Sequence, residues 1–211
     1  MNIDLVSRLS GLTHLGATWV LWTLVALSII GLAIALERAV AFLVARDDLP
    51  RLERELLVLV RTGDLEGARS RAEQSRAYES WMVRAGLADR PGDAVATEQR
   101  MMAAATRARL AMERRLAFLG TLGANAPFLG LLGTVVGIVR SFRALDVSGG
   151  KVSAGLMAEV GEALVATAIG ILVALPAVAA FNAFQRVIKV RLARAEALGR
   201  TVLAAFRPEG T

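Results

Sequence analysis

Three stretches of the chain run for more than twenty positions without Asp, Glu, Lys, Arg or His: 15–36, 116–139 and 163–185. A helix rises 1.5 Å per residue, so about 20 apolar residues cover the roughly 30 Å hydrocarbon core of a bilayer. All three stretches therefore predict membrane-spanning helices. The segment between the first two, 37–115, has a different pattern. Its apolar residues recur at helical spacing, with Leu52, Leu56, Leu59 and Val60 behind Pro50, then Leu65, Ala68 and Ala72 after the Gly63-Asp64 punctuation. A third short element is expected over 78–88, ahead of Pro91-Gly92. From Asp93 onward no breaker interrupts the stripe Met101, Ala105, Ala108 and Met112. That predicts one long helix running into the second span and projecting about 35 Å from it.

The first run is longer than the roughly 7–15 residues of a signal-peptide core, and only Arg8 precedes it. It is expected to be a retained helix, with Trp19 and Trp22 either anchored at the interface or packed between helices. Within the second run, Ala126, Gly130, Gly133 and Gly137 fall within about 60° on a helical wheel, and the third run carries a matching stripe of Ala163, Thr167, Gly170 and Ala174. Small residues let helix backbones approach closely in lipid. The two stripes predict an antiparallel pair joined by a short connection. Pro127 and Pro176 lie inside these runs, and each removes a backbone hydrogen bond and is expected to bend its helix.

Composition supports a membrane protein: of 211 residues, 55% are hydrophobic. Basic residues set the expected orientation. Segment 37–115 holds 15 arginines, and Arg186, Lys189, Arg191, Arg194, Arg200 and Arg207 follow the third run; Arg8, Arg140, Arg143 and Lys151 stand on the other side. By the positive-inside rule the N-terminus is outside, while 37–115 and the C-terminal tail are cytoplasmic. The net charge of +6 does not indicate nucleic acid, because the 15 arginines of 37–115 are interleaved with 13 Asp or Glu, as on a solvated helical surface beside anionic lipid. No cysteine is present, and His14 is the single histidine, so no thiolate or histidine-cluster metal site is expected and His14 is read as exposed near the outer surface. Segment 37–115 shows no nucleophile–base arrangement or phosphate loop, so an enzyme is not expected.

Glu162 stands at the head of the third run, beside Glu159 one turn earlier. An ionised side chain in hydrocarbon costs at least about 2.5 kcal/mol, so one that lies inside a span usually faces a bundle interior, a cavity or an ion path. Length alone leaves Glu162 divided between that position and the outer interface. Counting depth from the outer ends puts Thr134 level with Glu162, and Thr167 about 7.5 Å deeper. Glu162 and Thr167 are about 140° apart on the wheel, so they do not share one narrow face. Either threonine could instead bond only its own helix backbone.

The second run reads Ala126-Pro127-Phe128-Leu129-Gly130-Leu131-Leu132-Gly133-Thr134-Val135-Val136-Gly137, and the third begins Glu162-Ala163-Leu164-Val165-Ala166-Thr167-Ala168-Ile169-Gly170, with Pro176 and Phe181-Asn182 beyond. These segments resemble the MotA/TolQ/ExbB proton-channel family, in its ExbB/TolQ-like branch. The resemblance covers roughly 114–182; elsewhere it rests on topology and on Glu37-Arg38. It implies an all-α subunit: an outer (periplasmic) N-terminus over 1–14, a first span over 15–36, a helical cytoplasmic domain over 37–115, a second span over 116–139, a periplasmic connection over 140–156, a third span over 157–184 and a cytoplasmic C-terminal helix and tail over 185–211. The second and third spans would lie in long helices extending into the cytoplasm of a bacterial inner-membrane protein. By motif position, Glu162, Thr167 and Thr134 would line a proton path, and Gly130, Gly133, Gly137 and Gly170 would pack the helices. No cofactor is implied, the transported ion being the proton. The implied partners are further copies of the chain in a homopentamer, an ExbD- or TolR-like single-span protein carrying the titrating aspartate, and a TonB- or TolA-like protein spanning the envelope. Glu159 departs from the small residue the family more often has there, and reads as an outer-mouth charge. Two other functions stay open: a non-conducting membrane scaffold, and the same motor driving surface motility. A small-solute transporter is disfavoured by the lack of an internal inverted repeat.

Overall fold

The computed structural model describes residues 18–88, 94–147 and 154–205. The N-terminal segment with Arg8 and His14, the Pro91-Gly92 break, Lys151 in the second connection and the end of the tail with Arg207 lie outside the described residues. The rest is helical in seven elements: α1 (Thr18–Val44), α2 (Leu49–Arg61), α3 (Leu65–Gln74), α4 (Ser80–Gly86), α5 (Ala94–Glu113), α6 (Leu116–Val147) and α7 (Ala154–Ala205). Helices α1, α6 and α7 are long and apolar enough to cross a bilayer, which makes this an all-α membrane protein with three candidate spans. The chain forms two compact units, Met1–Leu36 with Arg115–Asn182, and Glu37–Arg114 with Ala183–Thr211.

The first unit is built around Val20, Leu24, Leu122, Ala126, Val173, Ala174 and Ala177, which are buried together. Trp19 packs against this cluster, whereas Trp22 is 70% exposed; of the two tryptophans only Trp22 points outward. Both α6 and α7 stay helical through Pro127 and Pro176. The outer surfaces carry bare apolar side chains such as Phe128, Leu164 and Leu172, as expected of helices whose solvent is lipid.

The second unit follows the helical punctuation of the sequence. Asp48 caps α2 by accepting from the Arg51 N–H at 3.2 Å, with Pro50 in the first turn, where its missing N–H costs nothing. Gly63 takes φ of 78°, the left-handed turn that glycine tolerates best, and Asp64 caps α3 through the Gly67 N–H at 2.8 Å. Leu52, Leu56, Val60, Ala68 and Ala72 then form one core with Val83, Leu87, Leu198 and Val202. Arg191 closes the C-terminal end of α1. Its guanidinium donates to Ala45 O at 2.6 Å and Phe42 O at 2.7 Å, and lies 5.3 Å from the Phe42 ring centre. These bonds satisfy carbonyls that a helix end leaves without partners. Burial pushes the Arg191 pKa below its usual value, and Glu79, 3.9 Å away and equally buried, opposes that shift.

One expected element is corrected. The continuous helix from Asp93 into the second span is two helices, because α5 stops at Glu113 and α6 starts at Leu116, with Arg115 at φ of 65°. Left-handed backbone costs an L-residue about 1–2 kcal/mol, and no Gly, Asn or Pro marks the site. Met112 and Leu116 on either side are each about 1% exposed. Burying two such side chains stabilises by more than the strain, at about 1.5–3 kcal/mol each, so packing rather than local preference sets the break. In the α5 stripe, Ala104 rather than Ala105 takes the fully buried place.

Glu55 receives hydrogen bonds from Arg51 at 2.8 Å and from Arg71, and both arginines hold its carboxyl below the usual glutamate range. A carboxylate with a depressed folded pKa adds stability that is present above its unfolded value, near 4.3, and is lost as pH falls through the folded value. Thermal melting of the wild-type protein is therefore expected to fall on acidification from about pH 6 to about pH 3 more steeply than that of Glu55→Gln. Parallel profiles would remove this contribution.

Candidate functional site

The small-residue stripes bring α6 and α7 to backbone contact. A Cβ added at Gly130 would lie 2.7 Å from Ala166 O and 2.9 Å from Thr167 Cα, and one at Gly170 would lie 2.7 Å from Ala126 O. At Gly133 and Gly137 an added Cβ would meet the Cβ atoms of Ala166 and Ala163, at 2.7 and 2.4 Å. Ser141 extends the stripe by another turn; it is buried and donates to Gly137 O at 3.0 Å. Its signal was the four-residue spacing from Gly137.

This approach sets a pair of hydroxyls between the helices. Thr134 and Thr167 are in direct Oγ1–Oγ1 contact, closer than an ordinary hydrogen bond. Thr167 Oγ1 is also 3.1 Å from Gly130 O, while Thr134 Oγ1 is 3.3 Å from both Gly130 O and Ala163 O. Each hydroxyl has one proton to donate and can accept as well. Two hydrogen-bond chains therefore fit the same heavy atoms: Thr134 to Thr167 to Gly130 O, or Thr167 to Thr134 to Ala163 O. Exchanging them reverses the polarity of the pair without moving a helix.

Glu162 is not part of that pair. Its side chain is exposed within the subunit and accepts a hydrogen bond from Thr18 Oγ1 at 2.7 Å, which links α7 to the start of α1. The depth order read from the sequence also changes. Gly130 faces Ala166, Thr167 and Gly170, and Gly137 faces Ala163 and Glu159, so Thr134 falls opposite 163–167 with its hydroxyl on Thr167, and Glu162 lies five residues from Thr167, about 7.5 Å nearer the α6–α7 connection. Counting from Val139 misplaced the layer because α6 continues to Val147. Glu159 pairs with Arg140 across the two helices at 3.2 Å, while its other oxygen is buried without a partner among the described residues. Thr18 and Arg140, the partners of the two carboxylates, carried no signal beyond their places near the ends of apolar runs. No cluster of ligand-type side chains able to hold a metal ion occurs among the described residues.

The α6–α7 hairpin and the helices leading into it coincide with a known family pattern. A model of the MotA/TolQ/ExbB proton channel family matches residues 74–197, more than half of the chain. The chain belongs to that family. Within the MotA/TolQ/ExbB proteins its relatives fall on the ExbB/TolQ side. It is 37% identical over 123 residues to the biopolymer transport protein ExbB of Xanthomonas campestris pv. campestris strain B100, covering 58% of this chain and 47% of that protein. It is 44% identical over 84 residues to the Tol-Pal system protein TolQ of Pseudomonas aeruginosa, covering 40% and 36%. It is 47% identical over 72 residues to the biopolymer transport protein ExbB of Neisseria gonorrhoeae, covering 34% and 33%. The matched region spans about half the length of the first of these relatives. In this ExbB/TolQ-like chain the pair Thr134 and Thr167 and the glycines beneath it all lie inside the matched segment.

Because the Cβ of Gly130→Ala would meet backbone rather than a flexible side chain, overpacking is expected to cost about 1–3 kcal/mol. The purified variant should melt several degrees below wild type, while Gly161→Ala, which meets nothing within 4 Å, should melt with it. Equal melting of Gly130→Ala and wild type would contradict the close contact.

Proposed function

We propose that this chain is the proton-conducting stator subunit of an ExbB/TolQ-type motor in a bacterial inner membrane, with its N-terminus periplasmic and its C-terminus cytoplasmic. The observation that carries the reading is the Thr134–Thr167 hydroxyl pair with its two interchangeable hydrogen-bond chains, about 7.5 Å along α7 from a carboxylate at Glu162. A path of this kind needs a group that takes up and releases a proton. Glu162 lies on the subunit's exposed face, open to an aspartate-bearing single-span ExbD- or TolR-like partner enclosed by several copies of the chain, five by family resemblance. Glu162 and the two threonines then form the polar wall along which the partner's carboxyl exchanges its proton. A proton crossing the membrane releases about 2.3 kcal/mol per 100 mV, enough to bias a helix repacking of a few kcal/mol. A TonB- or TolA-like protein would carry that movement through the envelope. Glu159, held by Arg140, forms a charged outer mouth.

The bonds of both hydroxyls to the carbonyls of the facing helix support a second reading, a scaffold in which the threonines only join α6 to α7. Right-side-out membrane vesicles with an interior-negative potential distinguish the two. Expressed at native level, Glu162→Gln is expected to leave the oligomer intact on cross-linking and to abolish potential-driven proton uptake. Thr167→Val is expected to lower uptake by roughly tenfold, the effect of losing about one hydrogen bond from the rate-limiting configuration. Undiminished uptake in both variants would leave the scaffold.

A further inference from the structure

The second unit contains a pocket of about 570 Å³ where α1 gives way to α2, lined by Arg46, Arg186, Arg191 and Arg194 with a wall of Val187 and Val190. The four arginines differ in what they already hold. Arg191 is buried and spends its donors on Ala45 O and Phe42 O. Arg46, Arg186 and Arg194 are exposed, and none of them makes a hydrogen bond or ion pair with a described residue. Counter-charge within the pocket is scarce. Asp47 is shared with Arg71 at 3.7 Å, and Glu79 lies against Arg191. Arg46 and Arg194 both repel the charge on Arg191, so the pocket has a surplus of positive charge that an anion would relieve.

The apolar wall of the pocket gives the anion's class. Val187 and Val190, on α7 beyond the end of the third run, are 38% and 43% exposed and line the pocket beside Arg186, Arg191 and Arg194. A free inorganic anion would have no use for the valine wall, whereas a lipid has an apolar chain to lay along it. Guanidinium groups suit the phosphate oxygens, to which they can donate in pairs.

We propose that this pocket holds the phosphodiester of an anionic phospholipid, with Arg46, Arg186 and Arg194 on the phosphate oxygens and an acyl chain against Val187 and Val190. The site is independent of the proton path. Lipid bound there stabilises the end of α1 by neutralising charge that Arg191 alone leaves in excess. Basic residues at a membrane surface favour anionic lipid, so three of them gathered at one pocket are expected to give a preference on the order of tenfold.

The test is native mass spectrometry of the full chain in detergent, with equal amounts of phosphatidylglycerol and phosphatidylcholine added. The expected result is roughly tenfold greater retention of phosphatidylglycerol, lost in Arg46→Gln/Arg186→Gln/Arg194→Gln and kept in Arg61→Gln/Arg84→Gln/Arg107→Gln, which removes the same charge elsewhere on the unit. Inorganic phosphate at the same concentration should not displace the lipid. Arg186→Gln alone should reduce the preference in part, which keeps the test open if the triple variant folds poorly. Equal retention of the two lipids, equal loss in both triple variants, or displacement by inorganic phosphate would overturn the proposal.

Discussion

The backbone approach of α6 and α7 at Gly130 and Gly170 is the constraint on which the rest of the membrane unit depends. Gly130 and Gly170 lie against each other and against the facing carbonyls, with no room for a methyl group on either side. In lipid, helices gain nothing from hiding apolar surface, so close packing of small residues and hydrogen bonds across the contact must hold them together. The same closeness that supplies dispersion energy brings two threonine hydroxyls within reach of each other and of carbonyls on the opposite helix. A single side chain larger than glycine at this crossing would separate the helices and break the hydroxyl pair with them.

Several charges are neutralised within their own unit. Glu37 and Arg38 pair along α1, Glu159 and Arg140 pair across the hairpin, and Arg191 is taken up by carbonyls and Glu79. Two sets of charges outside these pairs bear on function. Glu162 has a neutral partner, Thr18, and no cation among the described residues, and it is exposed. Arg46, Arg186 and Arg194 are cations gathered where the carboxylates of Asp47 and Glu79 already lie against other arginines. Both sets are exposed on their unit, where a partner helix in one case and a lipid headgroup in the other can complete them.

Much of this was legible in the sequence, because its signals were local. Charge-free runs of bilayer length gave the three long helices, and the spacing of Ala126, Gly130, Gly133 and Gly137 gave the contact face, all four being buried. Side-chain size and period are properties of one helix and need no knowledge of its neighbour. Pro50, Gly63 and Asp64 marked helix starts in the same local way. Three things were not legible. The turn at Arg115 uses left-handed backbone without a residue that favours it, since burial of Met112 and Leu116 decides it. The level of Thr134 depends on the register between α6 and α7, which the glycine contacts set and an assumed span end does not. The partners Thr18 and Arg140 are distant in sequence from the carboxylates they meet.

The central claim is that α6 and α7 meet at backbone distance with Thr134 opposite Thr167. The chain has no cysteine, so a disulfide between introduced residues reads that geometry without background. Oxidation of Thr134→Cys/Thr167→Cys in native membranes is expected to give a rapid cross-link within one subunit, since disulfides need Cα atoms within about 7 Å. Phe128→Cys/Leu172→Cys, on the exposed faces of the same helices, is expected to give none within the subunit. No intrasubunit bond at 134 and 167, or one no faster than at 128 and 172, would contradict the contact and the hydroxyl pair built on it.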